Sequence, residues 1–149
     1  RGLGDVYKRQ EIFLANYADG LTDLCFPDYL SRFLASEKTA AFLSVKPTQS
    51  FHVVTIDNDD ELTSINPLGS SNIWINGGFF IFRREIFHYI HKGEELVAEP
   101  FQRLIEARKI MTHRHQGFWV AMDTFKDKLF LDELVSKEDI PWEVWRKRK

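Results

Sequence analysis

Residues 72–83 read Asn-Ile-Trp-Ile-Asn-Gly-Gly-Phe-Phe-Ile-Phe-Arg, a long strand-like stretch interrupted at Gly77-Gly78. Branched and aromatic side chains suit a pleated, half-buried surface, and a glycine pair inside such a run marks a break or a close backbone approach. At ten residues, the apolar part Ile73–Phe82 is far too short to cross a bilayer. Similar short runs lie on either side. Ile12–Tyr17 ends in Ala-Asp-Gly, Ala40–Val45 is closed by Lys46-Pro47, and Ile110–His115 and Phe118–Met122 follow. Phe51–Ile56 and Glu61–Ile65 flank Asp57-Asn58-Asp59-Asp60, a hairpin pattern.

Helical spacing alternates with these strands. Pro27–Lys38 carries Tyr29, Leu30, Phe33 and Leu34 on one face, with the proline suited to a first turn. Glu85–His91 reads as a short helix. Val97–Arg108 reads as a longer one with Phe101, Leu104 and Ile105 inward, and Thr124–Val135 as another with Leu129, Phe130, Leu134 and Val135 inward. Strands and helices interleave, so the expected fold is α/β, a mixed sheet flanked by helices.

Composition bounds the function. The 149 residues are 44% hydrophobic and 14% aromatic, which suits one globular domain with a real core. Twenty basic against 22 acidic residues give a net charge of −2, so no global field draws in nucleic acid or an anionic membrane. The single cysteine, Cys25, has no internal partner and suits a reducing cytoplasm. Residues 1–10 stand apart: Asp5–Gln10 is the hexapeptide that the sequencing-adaptor mosaic end GATGTGTATAAGAGACAG encodes in one frame. They are set aside from the fold as an adaptor-like artefact. Residues 11–149 are then expected to be an amino-terminally truncated piece of a longer domain, with Ile12–Tyr17 an interior strand missing a neighbour.

In open α/β sheets, ligands bind beyond the carboxyl ends of strands. Asp19 follows one strand and Asp123 another, and two loop carboxylates could hold Mg²⁺ with phosphates and water completing its octahedron. Each also has a plain reading: Asp19-Gly20 as a turn, Asp123 as a helix cap. His88 with His91, and His113 with His115, lack a cysteine partner or an HExxH pattern for zinc. Trp119 reads as core before ligand platform, and residues 146–149 as a solvated basic terminus.

The segments Asn16-Tyr17-Ala18-Asp19-Gly20-Leu21-Thr22-Asp23, Ile75-Asn76-Gly77-Gly78-Phe79-Phe80, Glu99-Pro100, Gly117-Phe118-Trp119 and Met122-Asp123-Thr124 occur in order. In these the chain resembles the sugar-phosphate nucleotidyltransferases, in the branch that makes CDP-glucose from glucose 1-phosphate. The resemblance runs over Ile12–Trp145. It implies a Rossmann-like mixed sheet, of which this chain holds mainly the sugar-binding half. It implies Asp19 and Asp123 as catalytic Mg²⁺ ligands, with Asn76, Gly77 and Glu99 at the sugar pocket. The substrates implied are a nucleoside triphosphate, CTP first, and a sugar 1-phosphate. The product is a nucleotide sugar for polysaccharide biosynthesis, and the oligomeric state is left open. The family's Glu-Lys-Pro is replaced here by Ile65-Asn66-Pro67, which removes a sugar-binding carboxylate and a phosphate-binding lysine. Arg83, Arg84 or Lys128 are the candidate replacements for that cation. The alternative is a non-catalytic relative that binds sugar or nucleotide. A glycosyltransferase reading rests on Asp57-x-Asp59, which falls in the expected hairpin turn.

Overall fold

The computed structural model describes residues 11–48 and 50–146; the adaptor-like segment 1–10 lies outside the described residues. The central sheet contains β1 (Ile12–Ala15), β3 (Ala40–Val45), β6 (Ile75–Asn76), β7 (Phe80–Arg83) and β8 (Ile110–Arg114). β1 lies antiparallel to β7, β7 and β6 lie antiparallel to β3, and β8 runs parallel to β3 on its other side. β6 and β7 are therefore one strand interrupted at Gly77-Gly78-Phe79, as the glycine pair predicts. Among the described strands β1 has only β7 as a partner, and Leu14 on it is half exposed.

Alternation along β3 explains the two-sided core. Its odd positions Ala41, Leu43 and Val45 join Ile81 with Tyr29 and Phe33 of helix α1 (Phe26–Leu34). Its even positions Ala40 and Phe42 join Phe80 and Phe82 with Phe101 and Leu104 of helix α2 (Glu99–Glu106) and Ile86 of the 3-10 turn Arg84–His88. Ala40, Ala41, Leu43, Ile81, Tyr29 and Phe33 are wholly buried. The sheet is thus covered by helix on both faces, the expected α/β architecture.

Two smaller ribbons flank it. β4 (His52–Ile56) and β5 (Leu62–Pro67) form the expected hairpin, whose turn is fixed by Asp57: its Oδ1 accepts the amides of Asp59 (3.0 Å) and Glu61 (2.9 Å). Asp57-x-Asp59 is consequently a turn device. The second ribbon joins β2 (Gly20–Thr22), which the sequence pattern did not suggest, to β9 (Trp119–Ala121).

Some inward assignments are corrected. Ile105 is more than half exposed, because α2 ends one residue later and its buried stripe is Phe101 and Leu104. Helix α3 (Phe125–Ser136) buries Leu131, while Leu129, Phe130 and Val135 are largely exposed. At 100° per residue its apolar side chains are spread around the axis rather than gathered in a stripe, so one line of contact can cover few of them. Among the described residues no helix is long and apolar enough to cross a membrane.

Candidate active site

The β2–β9 ribbon sets the backbone segments that carry the two aspartates side by side. Its register pairs Gly20 with Ala121, and the ladder continues outward through the Met122 amide, which donates to the Asp19 carbonyl at 3.0 Å. Asp19 therefore lies opposite Met122, and Asp123 is the next residue along. The capping alternative for Asp123 does not hold. The cap of α3 is Thr124, whose Oγ1 accepts the Asp127 amide (3.3 Å) while the Asp127 carboxylate accepts the Thr124 amide (2.8 Å). These bonds from Thr124 hold the Asp127 carboxyl below its ordinary range. Among the described residues no hydrogen bond or ion pair occupies the carboxylate of Asp19 or Asp123.

No group of three or more His, Cys, Asp or Glu side chains is gathered for a metal among the described residues. A pair of carboxylates is nevertheless the donor set Mg²⁺ ordinarily takes from protein when phosphates and water supply the rest. In donor chemistry alone, Asp19 and Asp123 suit such an ion.

Beside this pair lies the break in the central strand. The Gly77 amide donates to the Leu43 carbonyl (2.7 Å), and the Leu43 amide to Gly78 (2.9 Å). The Asn76 Oδ1 accepts the Gly78 amide at 2.9 Å, and its Nδ2 donates to the Tyr17 hydroxyl at 3.2 Å. Asn16 Oδ1 accepts the Phe79 amide at 2.7 Å, and Trp119 Nε1 donates to the Gly77 carbonyl at 2.9 Å. A Cβ on Gly77 would stand 2.9 Å from Val45 Cγ1, so backbone approach dictates that glycine. Gly78 has φ +75°, and Phe79 follows at +51°, an unusual conformation for a bulky residue. Backbone strain held by this many bonds is characteristic of functional segments. Asn16, Tyr17 and Trp119 thus tie the Asp19 turn to Asn76 and Gly77.

Glu99 is placed less tightly. It opens α2 and is exposed, and no hydrogen bond among the described residues joins it to Asn76 or Gly77. Its neighbour Phe101 packs on Phe80 (ring centroids 6.0 Å apart), and Phe80 in turn meets the Tyr17 ring (5.4 Å), so Glu99 lies on the Tyr17 face of the sheet.

His115, which its place before Gly117-Phe118-Trp119 makes a candidate for facing the substrate pocket, has a positioning role. Its Nε2 lies 2.8 Å from Asp23 Oδ1 and 3.2 Å from both Thr22 Oγ1 and the Phe118 carbonyl, fastening the root of the β2–β9 ribbon. His113 is engaged elsewhere, against the Tyr29 ring and 3.1 Å from Arg32 Nη1; burial, then the Arg32 charge, lowers its pKa. Trp119 is half-buried against the first core and also hydrogen-bonds the Gly77 carbonyl, so it serves packing and site together. Asn16 and Tyr17 were legible as polar residues at the carboxyl end of a strand, the usual ligand edge.

Two of the expected replacement cations, Arg83 and Arg84, lie away from this edge, and the third, Lys128, is paired along its own helix. Arg83 donates to the carbonyls of Lys38 and Ser36 (both 2.9 Å) and lies over the Phe33 ring, closing the end of α1. It pairs with Ile12, at the opposite end of β7 from Asn76. Arg84 lines a depression at that same far end with Glu11, Glu85 and His88. Lys128 is bound by Asp132 at 2.5 Å.

Comparison with known proteins bears on the fold and on the family resemblance. No protein-family model matches the chain. The glucose-1-phosphate cytidylyltransferase of Salmonella typhi is 28% identical over 144 residues, 96% of this chain and 56% of its own length. A Bacillus subtilis protein assigned the same activity is 28% identical over 141 residues, 93% of this chain and 55% of its own. The chain therefore spans about half the length of these relatives. Among solved structures, a Bacillus anthracis protein assigned as a glucose-1-phosphate thymidylyltransferase superposes with a TM-score of 0.63 at 14% identity, over 89% of this chain and 57% of its own. Along nearly all its length the chain is similar in sequence to glucose-1-phosphate cytidylyltransferases, and its mixed α/β fold matches that of a sugar-1-phosphate nucleotidyltransferase.

Proposed function

We propose that the parent protein transfers a nucleotidyl group, CMP first among the candidates, from a nucleoside triphosphate to a sugar 1-phosphate such as glucose 1-phosphate. The products are pyrophosphate and a nucleotide sugar for polysaccharide biosynthesis in the cytoplasm. What supports this reading is the β2–β9 pairing, which sets the backbone segments of Asp19 and Asp123 side by side near the Asn76-Gly77 break. Similarity to the Salmonella enzyme favours CTP and glucose 1-phosphate as the first pair.

In the reaction a sugar-phosphate oxygen attacks the α-phosphorus, the bond to the bridging oxygen breaks, and pyrophosphate leaves. Such chemistry asks for alignment and charge stabilisation more than for covalent participation. Asn76 and the Tyr17 hydroxyl offer donors and acceptors to sugar hydroxyls, and the bare backbone at Gly77 lets the ring approach. Mg²⁺ held by Asp19 and Asp123 would supply neutralisation of phosphate charge. The grip on the triphosphate is assigned to a Gly-rich loop and a basic residue upstream, so the 149-residue chain alone should release no pyrophosphate.

The test uses the full-length gene product with a panel of triphosphates and sugar phosphates. Magnesium-dependent pyrophosphate release is expected, with CTP and glucose 1-phosphate preferred. Asp123→Asn keeps the shape and loses the charge, and is expected to lower turnover more than about a hundredfold, since metal stabilisation is worth several kcal/mol and about 1.4 kcal/mol is tenfold. A folded protein that released none with any pair would transfer the case to the non-catalytic alternative.

A further inference from the structure

The β4–β5 ribbon presents its apolar face to solvent. Val54 pairs with Ile65 and Ile56 with Leu62, and directly paired residues project from one face. All four are aliphatic, and each is between 47% and 58% exposed. The opposite face carries Thr55 and Ser64, joined hydroxyl to hydroxyl at 2.9 Å, and holds the half-buried positions Val53 and Ser64. A one-sided sheet in water ordinarily takes the reverse arrangement, apolar face covered and polar face wet. Among the described strands β4 and β5 pair only with each other, and a lone two-stranded ribbon is marginal in water. Ile65 belongs to the segment that replaces the family's Glu-Lys-Pro. The change that removes a sugar-binding carboxylate thus completes the apolar strip.

The two ends of the ribbon carry opposite charge. Its turn holds Asp57, Asp59, Asp60 and Glu61, none of them in an ion pair among the described residues. Its root is closed by the Leu68 amide, which donates to the Phe51 carbonyl at 2.9 Å, and by Lys46, which donates to the Ser71 carbonyl. There the Lys46 ammonium stands 4.6 Å from the Trp74 ring centroid, and the Arg114 guanidinium 5.7 Å from the same ring. Neither cation has a carboxylate partner among the described residues. Val54 is midway between Phe51 and Asp57, about 10 Å from each at roughly 3.3 Å per residue. A two-fold axis lying across the strands at the Val54–Ile65 pair would lay the strip on its own copy and bring each acidic turn over the partner's basic root. Four half-exposed aliphatic residues offer only a few hundred Å², short of the roughly 800 Å² per partner of a stable dimer. Contact must therefore extend to the ends, and the charges there select this direction, since parallel stacking would set acid on acid.

We propose that the apolar face of the β4–β5 ribbon is a self-association surface, covered by the same face of a second copy in antiparallel two-fold packing. Val54, Ile56, Leu62 and Ile65 form its centre, and the acidic turn of each copy meets Lys46 and Arg114 of the other. The inference is independent of the transferase reading.

Sedimentation velocity of the full-length gene product across a concentration series provides the test. A dimer, or an oligomer built from dimers, is expected, and added salt should weaken it because the end pairs are exposed. Ile56→Lys and Ile65→Lys each place an ammonium from both copies in the apolar strip, and should weaken association at least about a hundredfold. Both positions are exposed in the single chain, so circular dichroism should be unchanged. Charge reversal reads the direction of packing. Asp59→Lys with Glu61→Lys in one chain, and Lys46→Glu with Arg114→Glu in another, should each impair self-association. Mixed, the two chains should associate with each other more tightly than either does with itself. A monomeric full-length protein would overturn the proposal, and is the result expected if upstream residues of the same polypeptide cover the ribbon instead. An oligomer that both lysine variants leave intact would overturn it as well. Association that the lysine variants abolish but the charge-reversed mixture does not recover would refute the antiparallel packing.

Discussion

Gly78→Ala perturbs the pocket at the point where its geometry is tightest. Gly78 has φ +75°, where an L side chain costs about 1–2 kcal/mol. The new Cβ would also stand 2.5 Å from Asn16 Oδ1 and 3.0 Å from Tyr17 Cδ2. Contacts that short must be relieved by shifting both side chains, an overpacking cost of about 1–3 kcal/mol. The expected destabilisation is therefore about 2–5 kcal/mol. Gly93→Ala is the internal control. It shares the left-handed backbone, at φ +87°, yet its Cβ would meet nothing within 4 Å. It should cost only the strain, about 1–2 kcal/mol. Urea unfolding of the wild type and the two variants measures the difference, and coincident fluorescence and circular dichroism transitions would license two-state values. Shifting Asn16 also strains its 2.7 Å bond to the Phe79 amide, so the Gly78 variant should lose sugar-phosphate affinity while the Gly93 variant keeps it. Equal destabilisation by the two variants would show that Asn16 and Tyr17 do not pack on Gly78 as described, and the pocket geometry would have to be abandoned.

Thr124→Ala removes the cap of α3 and should cost about 1 kcal/mol in urea unfolding, whereas Asp123→Asn should leave stability nearly unchanged; the reverse order would return Asp123 to a capping role. In α2, Leu104→Ala should destabilise by about 2–5 kcal/mol and Ile105→Ala by less than about 0.5, since Leu104 is buried and Ile105 is not. Hydrogen bonding to Arg103 lowers the Glu94 carboxyl from 4.5 to about 2. A depressed carboxylate stabilises the fold above its unfolded value and loses that contribution as pH falls from 4.5 toward 2, so Arg103→Met should flatten the stability profile in that window. An unchanged slope of urea midpoint against pH there would refute the pairing.

Much of the fold was readable locally. Strand Ala40–Val45 was delimited by its own apolar run, its alternation divides the two cores, and Gly77-Gly78 announced the break between β6 and β7. The Asp57 turn and the Pro27 helix start were equally local, because each depends on the backbone preferences of a few consecutive residues. The site was legible only in part. Asp19 and Asp123 could be nominated from their places at strand ends, but whether they meet depends on β2 pairing with β9, and β2 is too short to show a period. The plain capping reading of Asp123 was equally compatible with the sequence, and hydrogen bonds between Thr124 and Asp127 decided against it. The same holds for Ile105, Leu129 and Phe130, apolar residues whose exposure depends on which line of the helix finds a neighbour. Lys46, Trp74 and Arg114 come from three separate strand ends, and no spacing within one segment could join them. Periodicity specifies which face a residue takes within its own element. Contact between elements depends instead on strand register and helix docking, which burial of the whole core selects over distances that no local pattern spans.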